Sequence, residues 1–170
     1  MGVCLAPEGT LRAKALLQEA HNYAEQTSGC CKVSVGSIIT DTTLNNVYSV
    51  KIFGSNKSLP ISCKIAGCLR VEKYGEASKL HRNPEDCRAI HSEIDAICNA
   101  AKMGITTQGM TIFVTRYPCE ACARAIVKAG ITTVIYGRAQ KCSELTYKIL
   151  EEAGITVIHI DDWDAPDVTY

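Results

Sequence analysis

The chain has 170 residues, 46% of them hydrophobic, enough for one compact domain with a substantial core across residues 1–170. Its 18 basic and 18 acidic side chains cancel and no basic run tracks a phosphate backbone, so a small, locally bound substrate is expected and nucleic acid is not. The start, MGVCLAPEGTLRAK, has no charged leader with an apolar stretch behind it, and nothing approaches the roughly 20 apolar residues of a membrane span; a soluble, cytoplasmic protein without a membrane partner is expected, whose 10 cysteines are reduced thiols and metal ligands.

In chain order, Leu11, Ala15, Leu16, Ala20 and Tyr23 recur at helical spacing, which predicts a helix over Leu11–Gln26, ended by TSGCC. KVSVGSIIT and NNVYSVKIF are β-branched runs around the polar DTTLN and predict an antiparallel hairpin. From about 54 to 88 the pattern dissolves into glycine, serine, lysine and isolated cysteines, a cysteine-rich irregular insertion of a length that implies a function or a staple. Order then returns: a helix from about His91 to Met103, strand MTIFVT, a helix from Cys119 to Ala129, strand TTVIYG, a helix from about Ser143 to Ala153, and strand ITVIHI. This alternation implies an α/β layered domain with mainly parallel pairing in its second half, and DDWDAPDVTY reads as a polar tail.

Two of these helices begin with reactive side chains. HSEIDAI places His91 and Glu93 in a first turn, with Ile90, Ile94, Ile97 and Ala101 marking the buried face. PCEACARAIVKAG places Pro118 where a missing N–H costs least, and Cys119 and Cys122 at i, i+3 on one face. In a layered α/β domain both N-termini can meet at one sheet edge, where helix dipoles favour the thiolates that bind metal. One histidine and two thiolates are three ligands for a tetrahedral zinc with an open fourth position, beside which Glu93, a carboxylate that is not a ligand, can move protons. Three other readings stand beside this one: a thioredoxin-like redox pair at Cys119 and Cys122, a structural zinc knuckle, and Glu93 as a solvated first-turn acid.

The H-x-E…P-C-x-x-C arrangement is similar to the signature of zinc deaminases, in which the metal activates a water for attack on a cytosine or adenine ring. HSEIDAI with TIFVTRYPCEACARAIVKAGITTVIYG resembles the deoxycytidylate (dCMP) deaminase family, as do, more loosely, CCKVSVGSII and GSNKSLP. Ser92, Asp95 and Lys57 depart from the Ala, Asn and Gly usual there. The resemblance implies a cytidine deaminase-like three-layer α/β/α domain with a central mixed sheet of about five strands. It also implies a catalytic zinc on His91, Cys119 and Cys122, Glu93 as the proton carrier, and conversion of dCMP to dUMP and ammonia. Another nucleoside or base deaminase of this fold, or a zinc-stabilised structural module, is the alternative. By the same resemblance Asn56 contacts the nucleotide's sugar or phosphate, the protein forms a homo-oligomer, often a hexamer, and dCTP and dTTP act as effectors. Some members carry a second, structural zinc, for which Cys30, Cys31, Cys63, Cys68, His81 and Cys87 form the pool of ligands. A dianionic phosphate needs cations or N–H donors, for which Asn56, Lys57, Lys102 and Arg116 are the candidates.

Overall fold

In the computed structural model, which describes residues 6–41, 50–75, 86–139 and 144–163, the first element is helix α1 (Pro7–Thr27). It starts earlier than its apolar repeat because Pro7 suits a first turn, and its stripe of Ala13, Leu16, Leu17, Ala20 and Ala24 is buried. Strands β1 (Gly36–Thr40) and β2 (Lys51–Ser55) form the expected antiparallel hairpin, with Ile38 opposite Phe53 and Ile39 opposite Ile52. The predicted first strand is longer than β1: the Val35 N–H and the Val33 carbonyl bond to the Asn56 side chain, and only the Val35 carbonyl meets backbone there, accepting from the Asn56 N–H.

The stretch expected to be irregular contains two short helices, α2 (Cys63–Ala66) and α3 (Leu69–Tyr74), as well as the last residues of β2. Ser62 caps α2 by accepting a hydrogen bond from the Lys64 N–H, and helices this brief show no periodicity to read. Next come α4 (Ser92–Lys102), β3 (Thr111–Arg116), α5 (Glu120–Lys128), β4 (Thr133–Arg138), α6 (Glu144–Glu152) and β5 (Thr156–His159), each within two residues of its sequence expectation.

The five strands form one mixed sheet in the order β2-β1-β3-β4-β5. β1 is antiparallel to both β2 and β3, whereas β3, β4 and β5 are parallel, so every strand except β1 runs the same way. Alternation along the strands divides the core in two. Ile39, Ile52, Ile112, Val114 and Val134 face Ala96, Ala100, Ala123, Ile126 and Leu150 of α4, α5 and α6, while Ile38, Phe113, Ile135 and Ile158 face α1. The result is the three-layer α/β/α arrangement expected.

The reading of DDWDAPDVTY as a polar tail is corrected at Trp163. Its ring is buried in the α1-side core and lies on Gly137, where an added Cβ would fall 2.1 Å from Cε3. One large apolar side chain outweighs its acidic neighbours, because a single helix leaves part of that face open. Among the described residues no helix is long and apolar enough to cross a membrane.

Candidate active site

The sheet directions decide what gathers around the functional residues. Because β2, β3, β4 and β5 run together and β1 runs against them, one edge carries the C-terminal ends of β2 and β3 and the start of β1. Arg116 ends β3, and Pro118 leads into α5 with Cys119 as its N-cap residue; His91 is the N-cap residue of α4. α4 packs on β2, β1 and α5, so two helix N-termini meet at that edge.

There His91 Nδ1 lies 3.3 Å from the Sγ of Cys119 and 3.3 Å from the Sγ of Cys122. Among the described residues this is the one group of three or more metal-ligating side chains whose donor atoms all fall within 4.8 Å of one another. Zinc bonds of about 2.3 Å to sulfur and 2.0–2.1 Å to nitrogen in a tetrahedron separate S from N by roughly 3.5 Å, so the donor set fits zinc in spacing and in chemistry. Cys119 is held low, at about 3, first by its hydrogen bond from Cys122 and then by one from His91, against the opposing effect of burial. Cys122 is correspondingly pushed up by that hydrogen bond and by burial, and His91 is raised to about 8, mainly by its bond to Cys119. Negative charge thus concentrates on Cys119 at a helix N-terminus.

Glu93 stands one residue into α4 beyond Ser92 and is buried. Burial raises its carboxyl above the usual range, offset in part by its own backbone N–H, His91 and Ser92. The Ser92 hydroxyl donates to Glu93 Oε2 at 2.9 Å, and the Ser37 hydroxyl donates to the Ser92 carbonyl at 2.7 Å, which fixes that turn on β1. The burial of Glu93 beside His91, Cys119 and Cys122 excludes the solvated-acid reading.

Of the phosphate candidates, the structure brings Asn56, Lys57 and Arg116 to this edge. Asn56 is buried and engaged: its Oδ1 accepts from Ser28 Oγ at 2.8 Å and from the Val35 N–H at 2.9 Å, and its Nδ2 donates to the Val33 carbonyl at 2.7 Å. Lys57 Nζ lies 3.3 Å from Asp95 Oδ2, which also accepts from the Ser55 N–H at 3.0 Å. These bonds tie the end of β2 to the helix that carries His91 and Glu93. Lys102 is the last of the 11 residues of α4, about 15 Å from its start at 1.5 Å per residue, and therefore far from His91.

The cysteine-rich segment gathers thiols without closing them. Cys31 is raised by burial and then by nearby Cys68, Cys30 and Cys63, and the Arg70 guanidinium engages Cys87. Cys68 is lowered: burial opposes the shift, but the N–H groups of Val71 and Arg70 and the charge of Lys32 outweigh it. His81 lies outside the described residues. Ser92, Ser28 and Asp95 are the site residues that sequence reasoning missed as contributors. The only sequence signal was that Ser92 and Asp95 depart from the family pattern.

A family model described as MafB19-like deaminase matches residues 12–165. The deoxycytidylate deaminase of Enterobacteria phage T2 is 38% identical over 177 aligned positions, covering 88% of this chain and 93% of the relative. ComE operon protein 2 of Bacillus subtilis (strain 168) is 32% identical over 136 residues, 79% of this chain, and the chain spans 64% of that relative's length. Among solved structures, the dCMP deaminase of cyanophage S-TIM5 in complex with dCMP and dUMP superposes with a TM-score of 0.63 at 21% identity, covering 92% of this chain and 99% of that one, a likeness of fold.

Proposed function

The chain belongs to the MafB19-like deaminase family, and from that premise we propose that it is a zinc-dependent deoxycytidylate deaminase, converting dCMP and water to dUMP and ammonia. The observation that carries this reading is the convergence of His91, Cys119 and Cys122 beside a buried Glu93. When bound, zinc supplies the Lewis acidity that activates a water at neutral pH. His91 Nδ1 and the two sulfurs hold it. Glu93 does the proton work: with Oε2 held by Ser92, Oε1 would take one proton of the water and deliver it to the ring nitrogen as the oxygen bonds to C4, then take the remaining hydroxyl proton and pass it to the exocyclic amine, whose bond to C4 breaks as ammonia leaves. Its raised pKa suits the first half of that task, since a carboxylate whose conjugate acid is weaker is a stronger base toward the water's proton.

Ammonia release from cytosine, cytidine, deoxycytidine, CMP, dCMP and dCTP tests the assignment. The highest kcat/KM is expected for dCMP; equal turnover of a base or nucleoside would replace this reading with another deaminase of the fold.

The finer readings follow from the same premise. A second zinc staples the cysteine-rich segment through ligands drawn from Cys30, Cys31, Cys63, Cys68, Cys87 and His81, supported by the mutual proximity of four of these thiols. Elemental analysis should then find two zinc ions per chain, and Cys68→Ser should remove one while catalysis persists; one zinc in the wild type would return these residues to packing. A homo-oligomer is supported by exposed Leu59, Ile61, Ile65 and Val71, clustered on the segment around α2 and α3. Sedimentation with and without dCTP or dTTP tests both assembly and effector response, and a monomer unaffected by either nucleotide would remove both.

A further inference from the structure

Lys57 and Asp95 both depart from the pattern that this sequence resembles, and the fold brings them together. Lys57 sits in the turn after β2 and Asp95 in the first turn of α4, with Nζ 3.3 Å from Asp95 Oδ2. The same Oδ2 accepts from the Ser55 N–H at 3.0 Å. Asp95 exposes 11% of its side chain and Lys57 34%. The ammonium is held by α1 as well: it engages the Tyr23 hydroxyl and stands 5.8 Å from the centre of that ring. Against the effect of burial, Asp95 and then Tyr23 hold its pKa above the ordinary lysine value. Three elements therefore meet at one ion pair.

The carboxylate end of that pair is joined to the metal-ligating turn. The Asp95 N–H donates to the His91 carbonyl at 2.9 Å, which closes the first turn of α4 around Glu93. An Asp95 side chain that left its place would carry this turn with it. Removing one partner from a buried pair leaves a charge that must move toward water, whereas neutralising both partners is often tolerated. The two partners are not equivalent, because Lys57 is about one-third exposed and can turn outward, while Asp95 reaches water only if α4 shifts.

Resting on the deaminase reading above, we propose that Lys57 and Asp95 are a positioning pair: the lysine's charge keeps the Asp95 carboxylate at the end of β2, and so keeps His91 and Glu93 in register with Cys119 and Cys122. Lys57 on this account serves the geometry of the metal site and does not hold the substrate.

The test compares the wild type, Lys57→Met, Asp95→Asn and the double variant, with Lys128→Met at the exposed end of α5 as the control. Zinc transfer to excess chelator, kcat and KM for dCMP, and Tm are measured for each. Methionine keeps the lysine's stem without its charge, and asparagine keeps an oxygen for the Ser55 N–H without needing a cation. Lys57→Met should lose roughly ten- to a hundredfold in zinc affinity or kcat, the range found when the support of a metal ligand is removed, with KM changing less than kcat. Asp95→Asn should lose little, and adding it to Lys57→Met should restore zinc retention and kcat nearly to the wild type. Lys128→Met should match the wild type throughout. Unchanged zinc retention and kcat in Lys57→Met overturns the pair, whether its Tm falls, which marks a merely structural contact, or its KM rises, which marks a substrate ligand. A double variant as impaired as Lys57→Met also overturns it, and in all these cases the deaminase reading stands. Should Lys57→Met not fold, the double variant decides: it should fold and keep zinc as Asp95→Asn does, and loss of zinc there overturns the pair. A wild type that holds no zinc and releases no ammonia from dCMP overturns both readings.

Discussion

Gly54→Ala is a one-carbon change outside the active site that should disable it. An alanine Cβ at residue 54 would fall 2.2 Å from the Ser92 carbonyl oxygen, 2.5 Å from the Ala96 nitrogen and 2.8 Å from the Ala96 Cβ. The first two are backbone atoms of α4, which no rotamer change can move aside. Recovering an ordinary contact requires α4 to retreat from β2 by about 1 Å, since non-bonded heavy atoms settle at roughly 3.5 Å. His91 immediately precedes Ser92 and moves with it, whereas Cys119 and Cys122 are held by β3 and α5. The 3.3 Å spacing between His91 and both sulfurs then opens, and Glu93 is displaced along with it. Overpacking of this kind costs about 1–3 kcal/mol, and the upper end applies where the obstruction is backbone. A misplacement of about 1 Å at a reacting group costs on the order of a hundredfold in rate. The variant should therefore purify with less than one catalytic zinc per chain, melt several degrees lower, and turn over dCMP about a hundredfold more slowly. Elemental analysis, thermal unfolding and ammonia release read the three effects. Wild-type zinc content and kcat would refute the reasoning, because they would show that the contact between α4 and β2 does not set the metal geometry.

Glu93→Gln should keep its zinc and fold but lose roughly a hundred- to ten-thousandfold in kcat, and retention of most turnover would remove Glu93 from proton transfer. In metal-free protein the same change should raise Tm at neutral pH. The folded-state pKa of Glu93 is raised, so its favourable contribution is full below the ordinary carboxylate range and is lost as pH rises through the folded value; the advantage of glutamine should accordingly vanish in acid, and a gain independent of pH would contradict the burial argument. Cys122→Ala should lose the catalytic zinc and activity together, and zinc retention in the wild type should fall as the solution is acidified and protons compete for the ligands; a fully zinc-loaded Cys122→Ala would exclude it as a ligand. Trp163→Ala should cost about 3–5 kcal/mol in unfolding free energy, measured by denaturant titration, whereas a neutral result would restore the polar-tail reading.

The repeats that set each element, and the chemistry of H-x-E and P-C-x-x-C, are local, and they were legible without coordinates. Helical and strand periods depend on neighbours a few residues apart, so α4, α5 and the β3 to β5 series appeared nearly at their true limits. The motif also picked out the three side chains that converge, because a C-x-x-C at a helix start fixes two thiols relative to each other by geometry within one turn. What the sequence left open depends on pairs far apart in the chain. That His91 reaches Cys119 is a contact across 28 residues, made by the direction of β2 and β3 and by the close approach that Gly54 permits. That Lys57 lies 3.3 Å from Asp95, and that Lys102 stands at the far end of α4 from His91, depend on the folded chain and on the length of the helix. Trp163 sits in an acidic stretch whose composition reads as solvent-exposed, and it is buried because the part of the sheet that α1 leaves open needs an apolar cover. Local periodicity determines elements, but whether a charge is spent, spare or distant is decided by which surfaces the tertiary fold brings together.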